Sequence, residues 1–128
     1  MNDAKKSINY CTSAAGLVRA YKAHSESLES AKIRGARVRF LTQISTENSG
    51  VARQLGEVVD LKRLEKPFAT NFVSVDSEEL IVLESKPDDL RTDRGSDLAI
   101  WTTNKLLIEL HDQMFERIWN TLPVTKER

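Results

Sequence analysis

The segment between Ser13 and Gly35 constrains this chain more than any other. Ala14, Leu17, Val18, Tyr21, Leu28 and Ala31 recur at spacings of three, four and seven, which is one apolar face of a long α-helix. Thr12 or Ser13 can cap its start, because a side-chain oxygen there accepts a bond from an otherwise orphaned backbone N–H. Lys32 and Arg34 sit in the last turn, where cations suit the helix dipole, and Gly35 can take the left-handed stop conformation. A helix this well bounded must lay its face on something. The segments on either side read as strands, at about residues 6–11 and at Arg37-Val38-Arg39-Phe40-Leu41, whose alternation suits a half-buried strand.

The rest of the chain continues the same alternation. Ser45 or Thr46 caps a second helix that runs to about Leu55 and ends at Gly56. Val58-Val59-Asp60-Leu61 is extended, and Pro67 punctuates the chain after it. Phe72 to Val75 and Leu80 to Leu83 form two strands joined by a hairpin at Asp76-Ser77-Glu78. Residues 84–97, with Pro87 and Gly95, are a polar loop, and Leu98-Ala99-Ile100-Trp101 is an apolar strand. A last helix carries Leu107, Leu110, Met114, Ile118 and Leu122 as its stripe, widened by Phe115 and Trp119, and stops at Pro123. The predicted order β-α-β-α-β-β-β-β-α is that of an α/β layered domain, with residues 1–128 as one unit.

Composition bounds the function. The 19 basic and 19 acidic residues cancel, whereas a protein that neutralises many phosphates usually carries a basic excess. This reading expects no direct nucleic-acid partner. One cysteine, Cys11, excludes an intrachain disulfide, fits a reducing cytoplasmic interior and packs as a small hydrophobe. No stretch approaches the roughly 20 apolar residues of a membrane span, so no membrane partner is expected. His24 and His111 are isolated on helices, and with one cysteine they complete no zinc site; no metal and no cofactor are expected. Trp101 and Trp119 have apolar neighbours and read as core or interface anchors, not as base-stacking platforms.

Three helix starts carry clustered hydroxyl or amide residues, at Thr12-Ser13, Ser45-Thr46 and Thr102-Thr103-Asn104. Helix starts offer N–H donors and a partial positive charge, and ligands of open α/β sheets sit outside the carboxyl ends of strands. If the three converge they floor a small polar pocket; otherwise each is only a cap. Lys62 and Arg63 can reach an anion there or form a solvated basic turn. Asp76 can orient a ligand or serve its hairpin.

The stretch Ala69-Thr70-Asn71-Phe72-Val73-Ser74-Val75-Asp76, followed by Trp101-Thr102-Thr103-Asn104, resembles a phospholipase D-type active site. There the pattern is His-x-Lys, four residues, Asp, then a Gly-Ser-x-Asn-like turn. Thr12-Ser13-Ala14-Ala15-Gly16-Leu17, the run from Arg34 to Leu41 and the closing Met114-Phe115-Glu116-Arg117-Ile118-Trp119 are similar to the phospholipase D-like domain of archaeal TrmB-type transcriptional regulators and of related archaeal histidine-kinase sensors. The resemblance spans about Ala4 to Leu122 and implies a phospholipase D-like half-domain, a mixed β-sheet flanked by helices. It matches Asp76 to the Asp, Thr102 to the Ser and Asn104 to the Asn, while Ala69 and Asn71 stand where the nucleophilic His and the Lys belong.

The resemblance therefore implies a non-catalytic sensor or regulatory module in archaeal transcription or signalling, with no catalytic residue. Its ligand would be small and polar or anionic, held by Thr12, Ser13, Arg63, Asn71, Asp76, Thr102 and Asn104. It also implies a homodimer with the site at the interface. Because the chain begins almost at strand one, it is expected to be an excised or free-standing sensor working with a linked kinase or helix-turn-helix protein. Two alternatives stand beside it. One is a divergent phosphodiesterase or nuclease, for which Ser74 and Thr70 are poor nucleophiles without a neighbouring His. The other is a ligand-free interaction domain docking through the last helix.

Overall fold

The computed structural model describes residues 6–46, 48–65, 71–84 and 98–123. Its elements are β1 (Ser7–Thr12), α1 (Ala14–Ile33), β2 (Arg37–Thr42), α2 (Ser49–Leu55), β3 (Asp60–Arg63), β4 (Asn71–Val75), β5 (Glu79–Glu84), β6 (Leu98–Thr102) and α3 (Lys105–Thr121), in the order the sequence predicts. Pro67, Ala69, Thr70 and most of the expected polar loop at 84–97 lie outside the described residues.

One six-stranded sheet holds the strands in the order β3-β2-β1-β4-β5-β6. Strands β1, β2 and β3 are parallel, and β4, β5 and β6 continue the sheet antiparallel from the other side of β1. Two successive parallel crossovers in one direction and of one hand must land on the same face, so α1 and α2 share it. Ile8, Tyr10, Leu17, Leu28, Val38 and Phe40 form the centre of the core on that side. The Tyr10 and Phe40 rings stack there at 4.6 Å, and burial pushes the Tyr10 hydroxyl up to about 12. Helix α3 returns from the far edge across the opposite face, over Cys11, Leu41, Phe72 and Leu80.

Helix α1 ends as its residues dictate, with Gly35 at φ 92 in the left-handed region that disfavours side chains. Helix α2 does not begin at Ser45 or Thr46. Its N-cap residue is Asn48, whose fully buried amide binds loop backbone instead of capping the helix. The stripe expected on α3 is also rotated. Ile108, Phe115 and Trp119 are buried, whereas Leu107 and Leu110 are 44% and 51% exposed. The apolar arc of α3 is wider than the face that the sheet covers.

Strand β2 is not half-buried either. Arg39 is 5% exposed because α3 covers the face toward which Arg39 alternates. Trp119 is a core anchor, but Trp101 is 60% exposed on the edge strand, where its Nε1–H donates to Glu79 Oε2 at 3.2 Å.

Candidate functional site

The parallel strands deliver one set of polar side chains to their shared carboxyl end. Ser13 caps α1, its Oγ accepting the Gly16 N–H at 3.0 Å. Gly16 is required here: a Cβ at that position would lie 1.9 Å from Thr12 Oγ1. Thr42 closes β2 and donates its hydroxyl to the Ser13 carbonyl at 3.2 Å. Asn48 then ties both loops together, its Nδ2 donating to Ala14 O at 3.2 Å and Gln43 O at 2.7 Å while its Oδ1 accepts from Ser45 N at 2.8 Å. Arg63 stands across from Thr42 at the end of β3. Asn71 opens β4 one residue beyond the Cys11–Phe72 pair, which puts it beside the end of β1. Thr12, Ser13, Arg63 and Asn71 thus gather at one end of the sheet.

Asp76, Thr102 and Asn104 occupy the opposite end. Strand β4 runs from Asn71 to Val75, so Asp76 lies five steps along, on the order of 16 Å at about 3.3 Å per residue. Its Oδ1 accepts the Lys6 and Ser7 N–H groups at 2.8 and 3.0 Å, and its own N–H donates to Ser7 O at 2.8 Å. Asp76 and Ser77 have φ of 55 and 53, the signs a type I′ turn requires, and Glu78 N–H donates to Val75 O. The carboxylate pins the hairpin to the start of β1. Thr102 pairs with Leu80 on β5, and its Oγ1 accepts the Asn104 N–H at 3.0 Å. Asn104 caps α3 by accepting the Leu107 N–H at 3.1 Å. The α1 and α2 starts therefore come together through Asn48, and the α3 start does not join them. One small ligand cannot touch both groups.

A buried polar layer that the sequence reading missed lies under α3. Arg39, Asn9 and Ser74 are register neighbours across three strands, and the exposed Asp60 pairs with Arg39 on the β3 edge. The Arg39 fork grips Glu116, with Nη2 2.5 Å from Oε1 and Nη1 3.1 Å from Oε2, while Nε donates to Asn9 Oδ1 at 3.1 Å. Its guanidinium carbon lies 5.0 Å from the Phe115 ring centroid and 5.2 Å from that of Trp119. The Arg39 hydrogen bond holds the Glu116 carboxyl below its ordinary range, with burial opposing. Lys62 is buried as well, and is not in a solvated turn. Its Nζ donates to the Trp119 carbonyl at 2.6 Å near the end of α3, where the helix dipole favours a cation. Both cations meet residues of α3 far along the chain, 77 positions on for Arg39 and 57 for Lys62, which sequence spacing does not reveal.

Two buried oxygens in this region, Ser74 Oγ and Asp112 Oδ1, have no hydrogen-bond partner among the described residues. A cleft of about 770 Å³ opens between Ser77 of the hairpin and the flank of α3 that carries Asp112 and Glu116. His111 sets its ring edge-on to Phe72 at 4.9 Å, with Nδ1 2.8 Å from the Leu107 carbonyl. Burial lowers the His24 pKa. No group of three metal-ligating side chains occurs among the described residues.

No protein-family model and no curated protein matches the sequence. Solved structures do match the fold. NucT from Helicobacter pylori superposes with a TM-score of 0.72 at 9% identity, covering 97% of this chain and 85% of that one. Nuc, a phospholipase D family member from Salmonella typhimurium, gives 0.66 at 18% identity over 97% and 84% of the two chains. TrmBL2, an archaeal chromatin protein whose structure shows a novel mode of DNA binding, gives 0.66 at 13% identity, covering 97% of this chain and 47% of TrmBL2. The chain thus spans about half the length of TrmBL2. That DNA-binding neighbour overturns the expectation of no direct nucleic-acid partner. The expectation rested on whole-chain charge, an average that says nothing about how charge is arranged on a surface. No helix among the described residues is long and apolar enough to cross a membrane. With its mixed sheet, three helices and these neighbours, the chain has the fold of a phospholipase D-like half-domain resembling that of TrmB-type proteins.

Proposed function

We propose that the chain is a catalytically inert phospholipase D-like regulatory module that holds a small polar or anionic ligand at the carboxyl end of β1, β2 and β3. One observation carries the reading: the residues at the His and Lys positions of the phospholipase D pattern are Ala69 and Asn71. An alanine cannot attack phosphorus, and an amide supplies hydrogen bonds without the charge that stabilises a pentavalent transition state. Loss of the nucleophile from a covalent catalyst costs on the order of a millionfold in rate. Ser74 is no replacement, since it is 1% exposed beneath α3. What remains at that end is a start of α1 capped by Ser13, together with Asn71 and Arg63, a set suited to holding an anion and not to splitting one.

The test is a thermal shift against inorganic phosphate, nucleotides and sugars. A ligand at about 100 times its dissociation constant adds about 2.7 kcal/mol, which for a domain of this size is on the order of 10 °C. The shift should vanish in Asn71→Asp, which puts a negative charge against the anion. A shift unchanged by Asn71→Asp, or melting curves flat against all three classes, rejects the proposed site.

A second reading has its own observation, the DNA binding of TrmBL2. On that reading the same fold contacts phosphates of nucleic acid and regulates by occupancy. Fluorescence anisotropy of labelled duplex would rise with protein and fall steeply with salt, as counterion release requires. A flat anisotropy titration at low salt removes it.

A further inference from the structure

One carboxylate in the cleft beside the hairpin is left over when the others are paired. Ile108, Asp112 and Glu116 are spaced by four on α3, so they form one row along the wall of the cleft. Both ends of the row are accounted for: Ile108 is packed into the core and Glu116 is gripped by Arg39. Glu109, in the next row, accepts from Gln113 Nε2 at 3.2 Å. Asp112 lies between them, and its buried Oδ1 has no donor among the described residues. Lys105 and Arg117 also line the cleft, but they stand seven and five positions from Asp112, off the spacings of three and four at which helix side chains meet. Ser74 Oγ, buried under α3 between Phe72 and the hairpin, is the other oxygen without a donor among the described residues. The wall of the cleft and the sheet beneath α3 thus both lack a donor.

We propose that this cleft binds a primary ammonium group carried on an aliphatic stem, with Asp112 Oδ1 as its acceptor. A carboxylate oxygen buried without a donor is destabilising, and a charged donor offsets that most strongly. Only one of the two Asp112 oxygens is both buried and orphaned, which suits the single-point donor of an ammonium and not the two-pronged fork of a guanidinium. Glu109 and Glu116, about one turn to either side, add negative potential, and Ile108 offers the stem an apolar surface one turn away. Lys105 and Arg117 stand near the two ends of the flank, about 18 Å apart at about 1.5 Å per residue, and repel a string of ammonium groups, so one such group is preferred. The volume of about 770 Å³ falls within the range of small-molecule sites, roughly 300–1,000 Å³. Its place by the hairpin, away from Ser13, Arg63 and Asn71, makes it a second site that does not depend on the first.

Titration of the whole chain with n-butylammonium chloride, followed by backbone amide NMR, tests it. The Ser77, Ile108 and Asp112 signals should move and saturate. The dissociation constant should rise at least tenfold in Asp112→Asn and stay unchanged in Glu29→Gln, an exposed position of α1 on the other face of the sheet. Tetramethylammonium, a cation without an N–H, and n-butanol, a stem without a charge, should leave those signals in place. Nα-acetyl-lysine amide in the same titration separates the sources of the group: tighter binding than butylammonium assigns a lysyl side chain, and weaker binding a free amine. Asp112→Asn carries a second readout without any amine: it should melt at or above wild type, because the orphaned oxygen is no longer charged. Signals that do not saturate, a constant unchanged in Asp112→Asn, or an equal response to tetramethylammonium overturns the proposal. So does an amine-free Asp112→Asn chain that melts below wild type, since the carboxylate would then have a partner within the fold.

Discussion

The Arg39–Glu116 pair offers the sharpest test of how α3 is held on the sheet. Removing one partner of a fully buried ion pair costs about 3–5 kcal/mol, because the remaining charge is stranded. Here the two partners are unequal: the Arg39 side chain is 6% exposed and that of Glu116 44%. Glu116→Ala strands the guanidinium under the helix, but it keeps Asn9 and the faces of Phe115 and Trp119, and water enters where the carboxylate stood. We therefore expect a loss of about 2 kcal/mol, below the fully buried range. Arg39→Met strands a carboxylate that water already reaches, and its main cost is the buried Asn9 oxygen left without its donor, about 1 kcal/mol.

The double variant removes both charges and should cost about 1 kcal/mol, giving a coupling energy near 2 kcal/mol. Urea titrations of the four proteins at pH 7 measure this, provided their slopes agree. The coupling also has a pH signature. Because the folded-state pKa of Glu116 is depressed, its contribution is present in full above the unfolded value, about 4.3, and fades as pH falls through the lower folded value. The advantage of wild type over Glu116→Gln should shrink below about pH 4. Additive single variants, or a Glu116→Ala loss under about 0.5 kcal/mol, would refute the reasoning.

Two further outcomes follow from the packing. The Cys11 thiol is fully buried and pushed up to about 12 by burial, so a disulfide reagent at pH 8 should label it only as fast as the protein unfolds; rapid native labelling would contradict the β1 placement. Gly16→Ala should cost about 1–2 kcal/mol in urea titrations despite alanine's better helix propensity, because its Cβ collides with Thr12 Oγ1, and Thr12→Ala in the same chain should restore most of the loss.

The element order was legible because each boundary carries its own chemistry: Ser13 and Gly35 around α1, the Asp76 turn between β4 and β5, and Asn104 before α3. What sequence could not show is which residues meet. The match of Asn71 with Thr102 and Asn104 depends on how many strands separate them. Strand β5 carries the chain back to the Asn71 end, and β6 then takes it away again, so the motif's two halves finish at opposite ends. Spacing along a chain does not count reversals. The α3 stripe and Arg39 failed for a related reason, since burial on a helix or strand is decided by the element laid against it. Asn48 was overlooked because a lone asparagine in a loop looks like any turn residue until its amide is seen joining two loops.

The central claim is that this phospholipase D-like fold holds phosphate-bearing or polar ligands without cleaving them, and a phosphodiesterase assay tests it most directly. Incubated with a chromogenic phosphodiester such as bis-p-nitrophenyl phosphate, the wild type and Asn71→Ala should both release nitrophenolate no faster than buffer. Turnover by the wild type that co-purifies with the chain and disappears in Asn71→Ala would contradict the account.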